Sequence, residues 1–92
     1  MAEIIQGTDR FILMEDGQEI GEITYAPVNE GTLVVDHTFV SEARRGQGFA
    51  EQLVERVVAY ARETNRKIVP SCSYVYAQFR RNKSYHDVWQ QN

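Results

Sequence analysis

Between a β-branched run and a long amphipathic segment stands Arg44-Arg45-Gly46-Gln47-Gly48-Phe49-Ala50, and no other stretch restricts the chain as much. Closely spaced glycines in a strand-to-helix turn cost chain entropy unless something needs bare backbone there. The first turn of a helix leaves N–H groups unpaired, and its aligned peptide dipoles make that end partly positive. A phosphate or diphosphate satisfies both conditions at once. Gly46 and Gly48 would let the main chain curl around the oxygens, and Ala50 keeps the next close position small. The competing reading is a tight turn with no ligand. Two familiar phosphate loops do not fit. A nucleotide P-loop needs Gly-Lys-Ser/Thr, and the dinucleotide fingerprint needs a third glycine where Glu51 stands.

The flanking sequence predicts the elements this loop joins. Asp9–Met14 and Glu19–Tyr25 read as strands around Asp16-Gly17, a hairpin turn pair, and Pro27 is expected to end the second run. Thr32–Val40 makes a third strand, with Leu33, Val35, His37 and Phe39 expected on one face. From Gln47 the period changes. Phe49, Leu53, Val57 and Ala61 recur at helical spacing, widened by Ala50, Val54 and Val58, to an end near Thr64-Asn65. Lys67–Cys72 reads as a short strand, edge or bulged at Pro70. Tyr74–Asn82 reads as a helix, and Ser84 caps a last turn over Tyr85–Trp89. The order β-β-β-α-β-α gives an α/β fold, a mostly antiparallel sheet with one crossover helix.

Composition bounds the function. A chain of 92 residues is expected to form one domain over its whole length. Its net charge of -3 argues against a general nucleic-acid binder, while the clusters Arg44-Arg45 and Arg80-Arg81-x-Lys83 leave a local anion site open. Cys72 is the single cysteine, so no internal disulfide and no multi-thiolate zinc site is expected, and a reducing compartment is favoured. The N-terminus lacks the pattern of a secretory signal, and no apolar run has the length of a membrane span, so the cytoplasm is the expected location.

Arg45-x-x-Gly48-x-Ala50 resembles the pyrophosphate loop of the GNAT superfamily of acyl-CoA-dependent N-acyltransferases. With HTFVSEARRGQGFA followed later by PSCSYV, the chain is similar to the minimal Yjdj-type branch of that superfamily. The resemblance implies a truncated GNAT fold in which the third strand and the Lys67–Cys72 strand splay apart to take the pantetheine arm of acetyl-CoA. Main-chain groups of Phe39 and Val40 would pair with that arm, and the backbone from Arg45 through Gly46, Gln47, Gly48 and Phe49 to Ala50 would hold the diphosphate. No metal is implied. Fuller members carry a strand and two helices ahead of the meander, which help enclose the acceptor; the residues before Asp9 are expected to supply no such wall.

Acyl transfer to an amine needs a base, an oxyanion donor and an acid for the departing thiolate. A lysine-like amine arrives protonated, with a pKa of about 10.4. His37 is the candidate base, since an imidazole of pKa about 6.5 is largely neutral at pH 7; a half-buried, hydrogen-bonded strand histidine is the alternative. The N–H of Val40 or its neighbour would meet the oxyanion. Cys72 reads as a buried apolar filler, as a nucleophile, or as the acid at the coenzyme sulfur, a role for which Tyr74 and Tyr76 also compete. The acceptor is an amine on a protein or a small molecule. A non-catalytic acyl-CoA binding module is the alternative function.

Overall fold

The computed structural model describes residues 1–91. Five strands form one sheet in chain order: β1 (Ala2–Gly7), β2 (Arg10–Glu15), β3 (Gln18–Asn29), β4 (Thr32–Val40) and β5 (Lys67–Pro70). The first four are antiparallel neighbours, and β5 lies parallel to β4. Helix α1 (Phe49–Glu63) makes the crossover between those two, and α2 (Ser73–Arg81) follows β5. This is the mixed α/β fold that the sequence predicts, with one strand more. The residues ahead of Asp9 are not a lead-in; they pair along β2 from Ala2↔Glu15 to Gly7↔Arg10. The weak apolar alternation of Ala2-Glu3-Ile4-Ile5-Gln6 conceals that strand, since only Ala2 and Ile4 pack against the core.

Local chemistry sets the turns. Asp16 and Gly17 both take positive φ (51° and 79°), which a two-residue hairpin turn requires. Pro27 does not end its strand, contrary to expectation: β3 runs on to Asn29. The Tyr25 N–H donates towards the Asp9 carbonyl, so alternation turns position 27 to that same side, beyond the end of β2. The N–H that proline lacks would have had no strand to meet there.

The core lies between the sheet and α1. Leu53, Val54, Val57, Val58 and Ala61 are buried against Phe11, Leu13, Ile23, Leu33 and Val35. Each such aliphatic side chain contributes about 1.5–3 kcal/mol relative to its exposed state.

A β-bulge corrects the expected face of β4. Thr24 pairs with His37 and Tyr25 with Val35, which leaves Asp36 as the extra residue. The alternation shifts across it. Leu33 and Val35 point into the core, Val40 is again buried and Thr38 half-buried, whereas His37 and Phe39 face outwards.

At the end of β4, Gly21 pairs with Val40, and a Cβ built on it would lie 2.8 Å from the Phe39 carbonyl oxygen. Gly21→Ala is expected to lower stability by about 1–3 kcal/mol, read as a fall in the urea midpoint at constant slope. An unchanged midpoint would show that β3 and β4 are free to separate there.

Candidate functional site

The site begins with a strand that outlasts its neighbour. Pairing between β4 and β5 runs from Thr32↔Lys67 to Val35↔Pro70 and stops. The N–H groups of Ser71 and Cys72 both donate to the Val35 carbonyl, at 2.9 and 3.2 Å, and the chain turns away into α2. β4 continues to Val40 with that edge uncovered. The Ser41 N–H donates to the Ile20 carbonyl at 2.7 Å, on the β3 side. By alternation the main-chain groups of His37 and Phe39 also point to β3, and those of Thr38 and Val40 point into the gap. The Val40 carbonyl accordingly accepts from Arg45 Nε at 3.0 Å. The exposed backbone therefore belongs to Thr38 and Val40, not to Phe39 and Val40 as the sequence suggested.

The glycine loop closes the end of this gap. A 3₁₀ turn (Glu42–Arg44) leads into it, and Arg44 is ion-paired with Glu15 through its Nε. Gly46 and Gly48 both hold positive φ, 83° and 81°. Gly48 is the N-cap of α1 and has no side chain with which to cap it. The N–H groups of Phe49, Ala50 and Glu51 are thus left without partners inside the helix, at its positive end.

Together these pieces wall a cleft of about 500 Å³. Thr38, Phe39 and Val40 form one side, and Arg44, Arg45, Gly46 and Gly48 form the loop end. Phe49, Ala50 and Glu51 supply the first turn of α1, and Tyr74 of α2 stands opposite. Every residue expected to contact the coenzyme lines this cleft except Gln47, which is exposed to solvent.

The expected catalytic residues divide. Cys72 is half-buried at the N-cap of α2 and does not line the cleft, but its Sγ is 3.8 Å from Oγ1 of Thr38, which does. His37 is on the outer face, 55 % exposed, with Nε2 3.8 Å from a Glu22 carboxylate oxygen; the other Glu22 oxygen takes Arg10 at 2.9 Å. Tyr76 does not line the cleft. It packs edge-on against Trp89, ring centres 6.0 Å apart, with the Arg80 guanidinium 5.9 Å from its ring. Two residues along a helix is about 200° of rotation, so Tyr74 and Tyr76 face opposite ways. Tyr74 holds the cleft position. Burial pushes its phenol pKa above the ordinary value, and the nearby Glu51 carboxylate adds to the shift. His86 donates from Nε2 to the Phe79 carbonyl at 2.9 Å and takes no part. Thr38 and Glu51 are cleft residues that sequence reasoning did not find. Thr38 becomes visible only once the bulge is known.

Comparison with known proteins agrees with this fold. Residues 10–88 match the family model of the GCN5-related N-acetyl-transferases. The chain belongs to that family. An NMR structure of a GCN5-like protein from Staphylococcus aureus is 37% identical, with a TM-score of 0.80 over 98% of this chain and 89% of that one. A ribosomal-protein-alanine N-acetyltransferase from Brucella melitensis biovar Abortus 2308 is 25% identical, with a TM-score of 0.61 over 90% of this chain and 62% of its own. A GNAT family acetyltransferase from Elizabethkingia anophelis, with acetyl-CoA bound, shares the fold at 22% identity and a TM-score of 0.62; the match covers 76% of this chain and 51% of that one. No match is found among curated proteins.

The phenols give a pH prediction. Burial raises the pKa of Tyr25, Tyr74 and Tyr85 above the usual value near 10. Their contribution to stability is full below that value and is lost as pH climbs through the raised folded one, because the unfolded phenols ionise first. Between about pH 9 and pH 11 the urea midpoint of the native chain should therefore fall more steeply than that of Tyr74→Phe. Parallel lines for the two chains would mean that Tyr74 is not buried as described.

Proposed function

We propose that the protein transfers an acetyl group from acetyl-CoA to an amine by direct attack on the thioester. One observation carries this reading: the uncovered edge of β4 meets the uncapped start of α1 inside one cleft. An arm bearing amides can add to Thr38 and Val40 as a strand would. The diphosphate at its end takes the amides from Gly46 to Ala50 and the positive end of the helix. Arg45 adds charge to that end of the cleft. The acetyl-CoA bound in the Elizabethkingia relative is in keeping with such a ligand.

The chemistry then distributes as follows. The amine nitrogen attacks the thioester carbon, and the Val40 N–H stabilises the oxyanion that forms. The C–S bond breaks. The thiolate takes a proton from Tyr74, a phenol that is protonated at neutral pH, or from Cys72. Before attack the ammonium gives one proton to His37, which stands beside Glu22 on the outer face from which the acceptor approaches. The second proton leaves the nitrogen as the intermediate collapses and restores the acid that protonated the thiolate. The acceptor is an amine on a protein, as a lysine or an N-terminus, or on a small molecule. A second reading, an acyl-CoA binding module without turnover, is favoured by the position of His37 outside the cleft.

Acetyl-CoA is expected to raise the melting temperature under either reading, because a ligand of the folded state alone stabilises it. Only the enzyme releases free coenzyme thiol when a panel of amines, peptides and metabolites is added. For the enzyme, His37→Ala should lower kcat by roughly a hundredfold or more with binding retained. Intact-mass analysis should find Cys72 unmodified after incubation with acetyl-CoA. Binding without thiol release from any acceptor would favour the module, and a hydroxylamine-labile acetyl group on Cys72 would replace direct attack by a two-step route.

A further inference from the structure

Glu51 is out of place in a cleft read as a seat for anions. Of the residues lining that cleft it alone carries a carboxylate. It occupies the third position of α1, inside the first turn, where the helix dipole favours an acidic side chain. Its Oε1 lies 3.7 Å from where a Cβ on Gly48 would stand, so the carboxylate leans back over the glycine loop instead of out along the helix. No guanidinium of the loop is engaged with it: Arg44 is held by Glu15, and Arg45 donates to the Val40 carbonyl. A side-chain anion thus stands at the N-cap of α1, next to the amides that an incoming diphosphate would use.

We propose that Glu51 sets the affinity of the cleft for the coenzyme. Its carboxylate serves as a resident anion beside the loop, and an arriving diphosphate must bind against that charge or displace it. The inference rests on the coenzyme reading above and gives it a direction: the native cleft holds its ligand less tightly than its backbone allows. A looser grip on the diphosphate also shortens the stay of the product coenzyme, a step that often limits turnover.

The test is calorimetry of the full chain with coenzyme A, native against Glu51→Gln and Glu51→Ala, at low and at high sodium chloride. Glutamine keeps good helix propensity and the shape of the side chain, and circular dichroism checks that both variants fold. At low salt both substitutions should tighten binding by about two- to fivefold, the scale of one solvent-exposed charge pair. The gain should shrink towards unity near molar salt, where the Debye length falls to about 3 Å. The unliganded variants should melt a few degrees lower, since the helix loses its first-turn charge. Equal affinity at low salt would overturn the proposal. Weaker binding by Glu51→Gln would also overturn it and would make the carboxylate a coenzyme ligand. If no chain binds coenzyme A, the coenzyme reading itself falls and takes this inference with it.

Discussion

The hydrogen bonding of the Val35 carbonyl decides where this molecule can bind anything. It takes the N–H groups of both Ser71 and Cys72, just after Pro70, whose ring nitrogen cannot donate. Parallel pairing therefore ends at Val35, while β4 runs on to Val40. A strand edge left uncovered inside a sheet is a template for another chain or for any ligand that carries amides. Here the glycine loop closes one end, and what remains is a slot along the edge of β4 that ends at the start of α1.

The bulge at Asp36 gives the same strand two uses. Upstream of it, Leu33 and Val35 are core residues; downstream, the inward positions are Thr38 and Val40, and His37 and Phe39 look outwards. Without the extra residue, His37 and Phe39 would point towards α1 and fill the cleft. With it, the inner face of β4 presents backbone and a small hydroxyl to the cleft, while an imidazole with its carboxylate partner faces the open side. The close approach of Gly21 to the Phe39 carbonyl holds β3 against this irregular stretch. The cleft and the imidazole thereby lie on opposite faces of one strand.

Much of this was legible in the sequence, for identifiable reasons. The glycine loop could be read because positive φ and an uncapped helix start are local requirements, satisfied at Gly46 and Gly48 without help from the rest of the fold. The α1 stripe could be read because helical burial repeats over four turns, and each of Leu53, Val57 and Ala61 is buried. Four features were not legible. β1 is an edge strand with one weakly buried face, so its pattern is faint. Pro27 looked like a terminator because the end of β2, which makes it harmless, is a tertiary fact. The bulge leaves no trace in the alternation of TLVVDHTFV, since Asp36 and His37 are both polar. That one unseen residue turned His37 and Phe39 outwards and put Thr38 on the cleft side. The choice between Tyr74 and Tyr76 likewise depended on the rotation of α2, which the sequence does not reveal.

The account stands on a single physical claim: the amides of the loop and first helical turn, with those of Thr38 and Val40, are free to take a ligand. Amide chemical shifts followed by two-dimensional NMR during titration with coenzyme A address it residue by residue. The account predicts that the largest changes fall on Gly46, Gly48, Phe49 and Ala50, with a second group at Thr38 and Val40, while His37 and Phe39, whose amides are committed to β3, move less. Changes spread over the basic turn at Arg80 to Lys83, or confined to the outer face, would contradict it.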